Sequence, residues 1–207
     1  MKKTDCTLYG YKSKAVISDC GKYRYELYRE WDEKKGKVLF IMLNPSTADA
    51  HRNDLTTRRC MNFAKKWGYG GIMIGNLYPF RAKRPKDLRK WEDSLWNERV
   101  GATAECYHVL NKNEEHVKQM ANEADILVCA WGCNVLPYLG IPHWVEELGD
   151  LHYLELCKDG ITPKHPLGNL SKDLEPKLFP TEQEQHTKWL IENNCGDWCN
   201  GPEGPNY

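Results

Sequence analysis

The stretch VLFIMLNPSTAD, residues 38–49, constrains the fold of this 207-residue chain more than any other. An unbroken apolar run enters Asn44-Pro45-Ser46-Thr47, and a charged, helix-like segment follows. Such a run, closed by a turn signal, is the pattern of a strand buried on both faces of a parallel sheet. Pro45 lacks an N–H and pushes Asn44 toward an extended conformation, so the chain must leave the sheet there. Ligands of such sheets collect where strands end. Asn44, Ser46, Thr47 and Asp49 are therefore expected to line a pocket.

The neighbouring segments extend this pattern. Residues 1–37 read as an antiparallel hairpin on the sheet edge: Ala15-Val16-Ile17 and the alternating Tyr23–Arg29 stretch are strand-like, with a turn at Asp19-Cys20-Gly21-Lys22. Asp54 is placed to cap a helix from Leu55 to about Trp67, which Gly68-Tyr69-Gly70-Gly71 ends. Ile72-Met73-Ile74 is a second buried strand closing at Gly75-Asn76, so strand, helix and strand form a right-handed βαβ unit. Residues 77–88 read as a loop in which aromatics alternate with cations, and residues 89–123 as two helices broken near Asn111–Asn113. A third strand spans 126–132, a short helix 143–148 and a fourth strand 151–157. A last helix is expected over 181–194, before a Gly/Pro-rich tail. The fold class is thus α/β, a three-layer sandwich around a central, mostly parallel four-stranded sheet with the N-terminal hairpin added. It is divided as 1–37, a core over 38–170, and a C-terminal helix and tail over 171–207, within one domain overall.

Composition narrows the function. Lys+Arg and Asp+Glu balance at 29 each, so no global field attracts polyanions, and nucleic acid binding requires a local basic patch. The N-terminus has no apolar signal-peptide core and no segment approaches a membrane span, which makes a cytoplasmic location with no membrane association the expectation. Nine cysteines in that setting are expected as reduced thiols. Cys129-x3-Cys133 and Cys195-x3-Cys199 do not match paired zinc spacing. An iron-sulfur cluster from Cys6, Cys20, Cys195 and Cys199 is disfavoured, leaving no cofactor and no metal as the expectation.

Four strand ends would deliver Asn44, Asn76, Trp131 with Asn134, and His165 with Lys164. Asparagine amides, a histidine and aromatic rings suit a site that reads a planar, hydrogen-bonding ring such as a nucleobase. Plainer readings stand beside this one. Tyr78 and Phe80 serve as loop anchors as readily as stacking rings, the cations from Arg81 to Lys90 suit a solvated face, and Trp131 suits the core.

Three segments resemble the uracil-DNA glycosylase superfamily: GGIMIGNLYPFRAKRP its base-reading asparagine strand, ILVCAWGCN its "LLWGS" strand and KHPLGNLS its histidine loop. LNPSTAD takes the place of the water-activating motif and is nearest to the "INPG" pattern of the mismatch-specific branch. More closely, MLNPSTADAHRNDLTTRRC, WGYGG, NLYPFRA, AWG and KHPL together resemble a bacterial and phage family, the domain of unknown function 1643 family, over roughly residues 23–170. The superfamily resemblance implies an enzyme that hydrolyses an N-glycosidic bond in DNA or a nucleotide. His165 would stabilise the departing base, Asn44 hold the attacking water with Asp49 or Asp54 as candidate carboxylates, and Asn76 read the base edge. Tyr78 or Phe80 would stack on the ring, while Ser46, Thr47, Arg58, Arg81 and Lys164 would contact phosphates. The alternatives are a protein that binds a modified base or nucleotide without cleaving it, and a base-modifying transferase.

Overall fold

A computed structural model describes residues 1–97, 101–133 and 140–180 of the chain. In chain order the elements are β1 (Lys2–Leu8), β2 (Tyr11–Ile17), β3 (Arg24–Glu30), β4 (Lys37–Met42), α1 (Leu55–Lys66), β5 (Gly71–Asn76), α2 (Pro85–Leu95), β6 (Trp96–Asn97), β7 (Gly101–Ala102), α3 (Ala104–Glu123), β8 (Ile126–Cys129), a 3-10 helix (His143–Leu148), β9 (Leu151–Tyr153) and β10 (Lys177–Leu178). The chain divides into a compact unit of Met1–Lys177 and a second unit of Leu178–Tyr207, and the helix and tail expected over 181–207 lie outside the described residues.

The fold is mixed α/β, built on one eight-stranded sheet in the order β1-β2-β3-β5-β4-β8-β9-β10. This corrects the expected four-stranded sheet with an attached hairpin. Three N-terminal strands pair antiparallel in long ladders, and β3 continues antiparallel onto β5. From β5 the pairing runs through β4, β8 and β9 in parallel. Strand β1 escaped the sequence reading because KKTDCTL carries few apolar residues; as an edge strand it buries only alternate positions, and those partly.

Strand β4 owes its central place to Val38, Leu39, Phe40 and Ile41, all fully buried. Helix α1 starts where Asp54 accepts the Thr57 N–H at 2.8 Å, and its Cys60, Met61, Phe63 and Ala64 are buried against the sheet. Successive residues of β5 face opposite sides. Ile72 and Ile74 join the core cluster of Phe63 and Ala64, whereas Gly75 faces Val117 and Met120 of α3, where an added Cβ would sit 3.2 Å from both. Helices α1 and α3 therefore cover the two faces.

Two helix boundaries differ from expectation. Pro85 opens α2 rather than extending the preceding loop, since a first-turn proline lacks only an N–H that would be unpaired anyway. Helix α3 runs unbroken through Asn111–Asn113, and the interruption falls instead at the β6–β7 ribbon. Asn113 is buried and donates to the carbonyls of Asn76 and Leu77 at 2.9 and 3.2 Å, so this side chain bonds across to the sheet instead of competing for its own backbone. Strands β8 and β9 are also shorter than expected, four and three residues.

Candidate functional site

Past Met42 the backbones after β4 and β5 stay in register for two more residues, with Leu77 N–H donating to Met42 O at 2.7 Å and Tyr78 N–H to Leu43 O at 3.0 Å. They then part at Asn44. The Asn44 Nδ2 group donates to the carbonyls of Pro45, Phe80 and Ala82 at 3.0, 3.3 and 3.0 Å, tying the two exit loops together. Its amide hydrogens are thereby used, and Oδ1 is what Asn44 has left to offer a ligand.

A cavity of about 630 Å³ opens beside this fork. Asn44 and Ser46 form one wall, Lys164 and His165 the opposite one, Trp131 and Gly132 lie between, and Lys83 and Arg84 reach it from the β5 exit. Gly132 has φ +86°, a backbone state that L side chains rarely adopt, and a Cβ there would come within 3.0 Å of the His165 Cβ. The absence of a side chain lets the β8 exit press directly on the histidine, and Gly132 N–H donates to Pro163 O at 3.0 Å.

His165 is half-buried, and its Nδ1 accepts the Leu167 backbone N–H at 3.2 Å. A backbone N–H is always the donor, so Nδ1 carries the lone pair and the proton of the neutral ring sits on Nε2. Burial lowers the His165 pKa from its ordinary value, and the Asp54 charge offsets part of that. At neutral pH the residue is a neutral ring whose Nε2–H is available as a donor.

Among the described residues that line this cleft there is no carboxylate. Asp49 is not part of it: its carboxylate accepts the His51 N–H at 2.9 Å within its own loop. Asp54 is occupied at the helix cap by the Thr57 N–H and hydroxyl, both at 2.8 Å. Of the cations at the cleft, Lys164 is paired with Glu155, and Arg84 forms a two-bond fork with Asp87 at 2.8 and 3.0 Å.

The remaining expected site residues fall elsewhere. Ser46 also borders a second cavity, of about 730 Å³, where it meets Thr47, Phe80 and Arg81. Phe80 there lies parallel to Trp91, with centroids 5.1 Å apart and planes 4° apart. Tyr78 is 2% exposed and its hydroxyl donates to the Gly140 carbonyl, so it is a core anchor rather than a ring at the cleft. Asn76 is 1% exposed, borders neither cavity, and neither polar atom of its side chain has a hydrogen-bond partner among the described residues. Arg58 is exposed on α1, away from both cavities. Asn134 lies outside the described residues.

Trp131, expected at a strand end and weighed as a core residue, is both: it is 6% exposed and lines the cleft, and its Nε1–H has no partner among the described residues. Sequence reasoning missed other contributors. Cys133, also at the cleft, forms a disulfide with Cys157, which corrects the expectation of reduced thiols throughout. Spacing alone could not pair them, because their sequence separation of 24 gives no hint that the exits of β8 and β9 lie together. Among the described residues no group of three or more His, Cys, Asp or Glu is placed to hold a metal ion, and no helix is long and apolar enough to cross a membrane.

The two buried arginines of β3 were likewise unforeseen. Arg29 is fully buried and donates to Asn53 Oδ1 at 2.7 Å and to the carbonyls of Tyr28, Asp49 and Arg52 at 2.7, 2.5 and 3.3 Å. Arg24 donates to Ala48 O at 3.0 Å, and burial brings its pKa down to about 10, so it stays charged at neutral pH. Together they grip the loop that begins at Asn44.

Comparison with known proteins adds one match: the family described as "Protein of unknown function (DUF1643)" matches residues 24–167. No curated protein and no solved structure matches the chain.

Proposed function

We propose that this chain, which belongs to the DUF1643 family, hydrolyses the N-glycosidic bond of a nucleobase in DNA or a nucleotide at the cleft between Asn44 and His165. The observation that carries this reading is the His165 ring: neutral, fixed by the Leu167 N–H on Nδ1, and left with an Nε2–H donor at a cleft that Lys83 also lines. As the bond from the sugar carbon to the base nitrogen breaks, its electron pair leaves with the base. The Nε2–H then bonds more strongly to the developing anion than to the neutral base, which lowers the barrier by preorganised electrostatics. Asn44 Oδ1 accepts a hydrogen bond from the water that attacks the sugar carbon and orients it. Because an amide oxygen is no base, the departing base anion takes up the proton that water loses. Lys83 offers charge to a phosphate.

The test is chromatographic detection of free base from uracil-containing, mismatched and base-modified DNA and from deoxyuridine monophosphate. Release by the wild type and its loss, by a factor of about a hundred or more, in His165→Ala is the expected result. Equal release by the wild type, Asn44→Ala and His165→Ala would remove both residues from the reaction. One observation favours a second reading, binding without cleavage: no carboxylate borders the cleft among the described residues. That reading requires thermal stabilisation by the nucleotide with no base released.

A further inference from the structure

We infer that the cavity floored by Phe80 is a second nucleotide subsite joined to the His165 cleft, so that the ligand is a stretch of single-stranded nucleic acid rather than a lone nucleotide. The inference rests on the nucleobase reading of the first cleft. The two cavities share Ser46 and Lys83, which belong to the pair of exit loops that Asn44 ties together. At about 730 and 630 Å³, each lies within the roughly 300–1,000 Å³ usual for a small-molecule site.

Charge at the second cavity is net positive: Lys22, Arg81, Lys83 and Lys90 line it against the two carboxylates Asp87 and Glu105. Asp87 is paired with Arg84, and Glu105 accepts the Tyr23 hydroxyl at 3.2 Å. Arg81 is fixed by its Nη1 bond to Gly21 O at 3.2 Å and by its backbone N–H to Lys22 O at 2.9 Å, while its Nε has no partner among the described residues. A preset cation of this kind suits a phosphate, because little side-chain freedom remains to be lost on binding.

The floor distinguishes a nucleotide from bare phosphate. Phe80 is half-buried, and its ring is backed by the parallel Trp91 and flanked by Tyr23 at 6.1 Å, which gives a rigid apolar surface beside the cations. Cations that follow a phosphate chain next to a ring on which a base can rest are the general means of holding single strands without reading their sequence. A nucleoside triphosphate whose base occupies the His165 cleft would reach the cations with its phosphates and leave the ring bare.

Binding, not turnover, tests this inference, so its failure is separate from failure of the hydrolase reading. Fluorescence anisotropy with a labelled single-stranded deoxyribonucleotide 10-mer, its ribonucleotide counterpart, deoxyuridine monophosphate and deoxyuridine triphosphate is the measurement. At least one 10-mer is expected to bind ten-fold or more tighter than the monophosphate, with an affinity that falls as salt rises. The double substitution Lys22→Glu/Lys90→Glu, at exposed residues that border only the second cavity, is expected to weaken the 10-mer at least ten-fold and leave the monophosphate within two-fold. Phe80→Leu is expected to weaken the 10-mer about five-fold or more, with thermal unfolding confirming that it folds. Which 10-mer binds tighter identifies the sugar of the natural strand. Equal affinity for both 10-mers and the monophosphate, an unchanged 10-mer affinity in the double variant, or a triphosphate that binds as tightly as the better 10-mer would each overturn the second subsite.

Discussion

The two walls of the cleft are held in different ways. The Asn44 side is fixed from beneath by the antiparallel strands: Arg24 and Arg29 of β3 bind the carbonyls of Ala48, Asp49 and Arg52, and Ser13 of β2 and Cys6 of β1 donate to Ala50 O at 2.5 and 3.0 Å. The His165 side hangs on the parallel half, through the Cys133–Cys157 disulfide, the Lys164–Glu155 pair and turn bonds such as Cys157 N–H to Thr162 O at 2.7 Å. Buried guanidinium-to-carbonyl bonds are shielded from salt and have no redox chemistry. A partly exposed ion pair and a disulfide respond to both. The three N-terminal strands therefore serve the site: they fix the acceptor wall, while the donor wall depends on solution conditions.

Substitutions can break this contrast, and the largest effect belongs to the Asn44 side. Arg29→Met removes four hydrogen bonds and leaves buried carbonyls without donors, so thermal unfolding should register a loss of about 3 kcal/mol or more. A loss below about 1 kcal/mol would show that the antiparallel strands do not hold that wall. Next comes the disulfide. Cys133→Ser/Cys157→Ser is expected to cost about 2–3 kcal/mol, and reductant should lower the unfolding temperature of the wild type without affecting the double variant. Wild-type unfolding indifferent to reductant would contradict the assignment of the donor wall.

Smaller effects sharpen the contrast at the histidine itself. Gly132→Ala places a Cβ against His165 in a left-handed backbone state, which costs about 1–2 kcal/mol. Displacement of the ring should then weaken nucleotide binding more than the stability change alone accounts for, as titration of deoxyuridine monophosphate would show; an unaltered affinity would mean that the ring position is irrelevant. Smallest is the charge of Asp54. Asp54→Asn keeps a good helix cap and removes the one charge that raises the His165 pKa, so that pKa should fall further in an NMR titration. The sign for stability follows: a folded-state pKa below the unfolded value of about 6.5 means that the unfolded chain takes up the proton first. The contribution of His165 is present above that pH and is lost as pH falls through the folded-state value. An upward shift on Asp54→Asn would contradict the electrostatic coupling.

What the sequence made legible is what burial pattern and turn chemistry encode directly. The apolar run of β4, the Asp54 cap and the glycine stop of α1 could each be read from neighbours in the chain. The rest depended on contacts between distant segments. Arg24 and Arg29 sit in an alternating strand whose charged residues normally face water, and their acceptors are carbonyls, which leave no trace in the side-chain pattern. Asn111–Asn113 has the composition of a helix break, yet Asn113 finds its partners on β5 and the residue that follows. Tyr78 and Phe80 look alike in the sequence, but one is buried behind the fork and the other floors a cavity, because two residues further along the exit loop has turned toward the surface. The pairing of Cys133 with Cys157 arises from the adjacency of β8 and β9, a property of the sheet order.

The claim on which the functional reading turns is the state of one ring. Nitrogen-15 NMR of the His165 imidazole, assigned by comparison with His165→Gln and recorded at neutral pH with and without deoxyuridine monophosphate, tests it most directly. The expected result is a neutral ring protonated on Nε2, with the Nε2 resonance moving on nucleotide addition and Nδ1 remaining an unprotonated acceptor for the Leu167 N–H. A ring protonated on Nδ1, or an Nε2 resonance indifferent to saturating nucleotide, would contradict it.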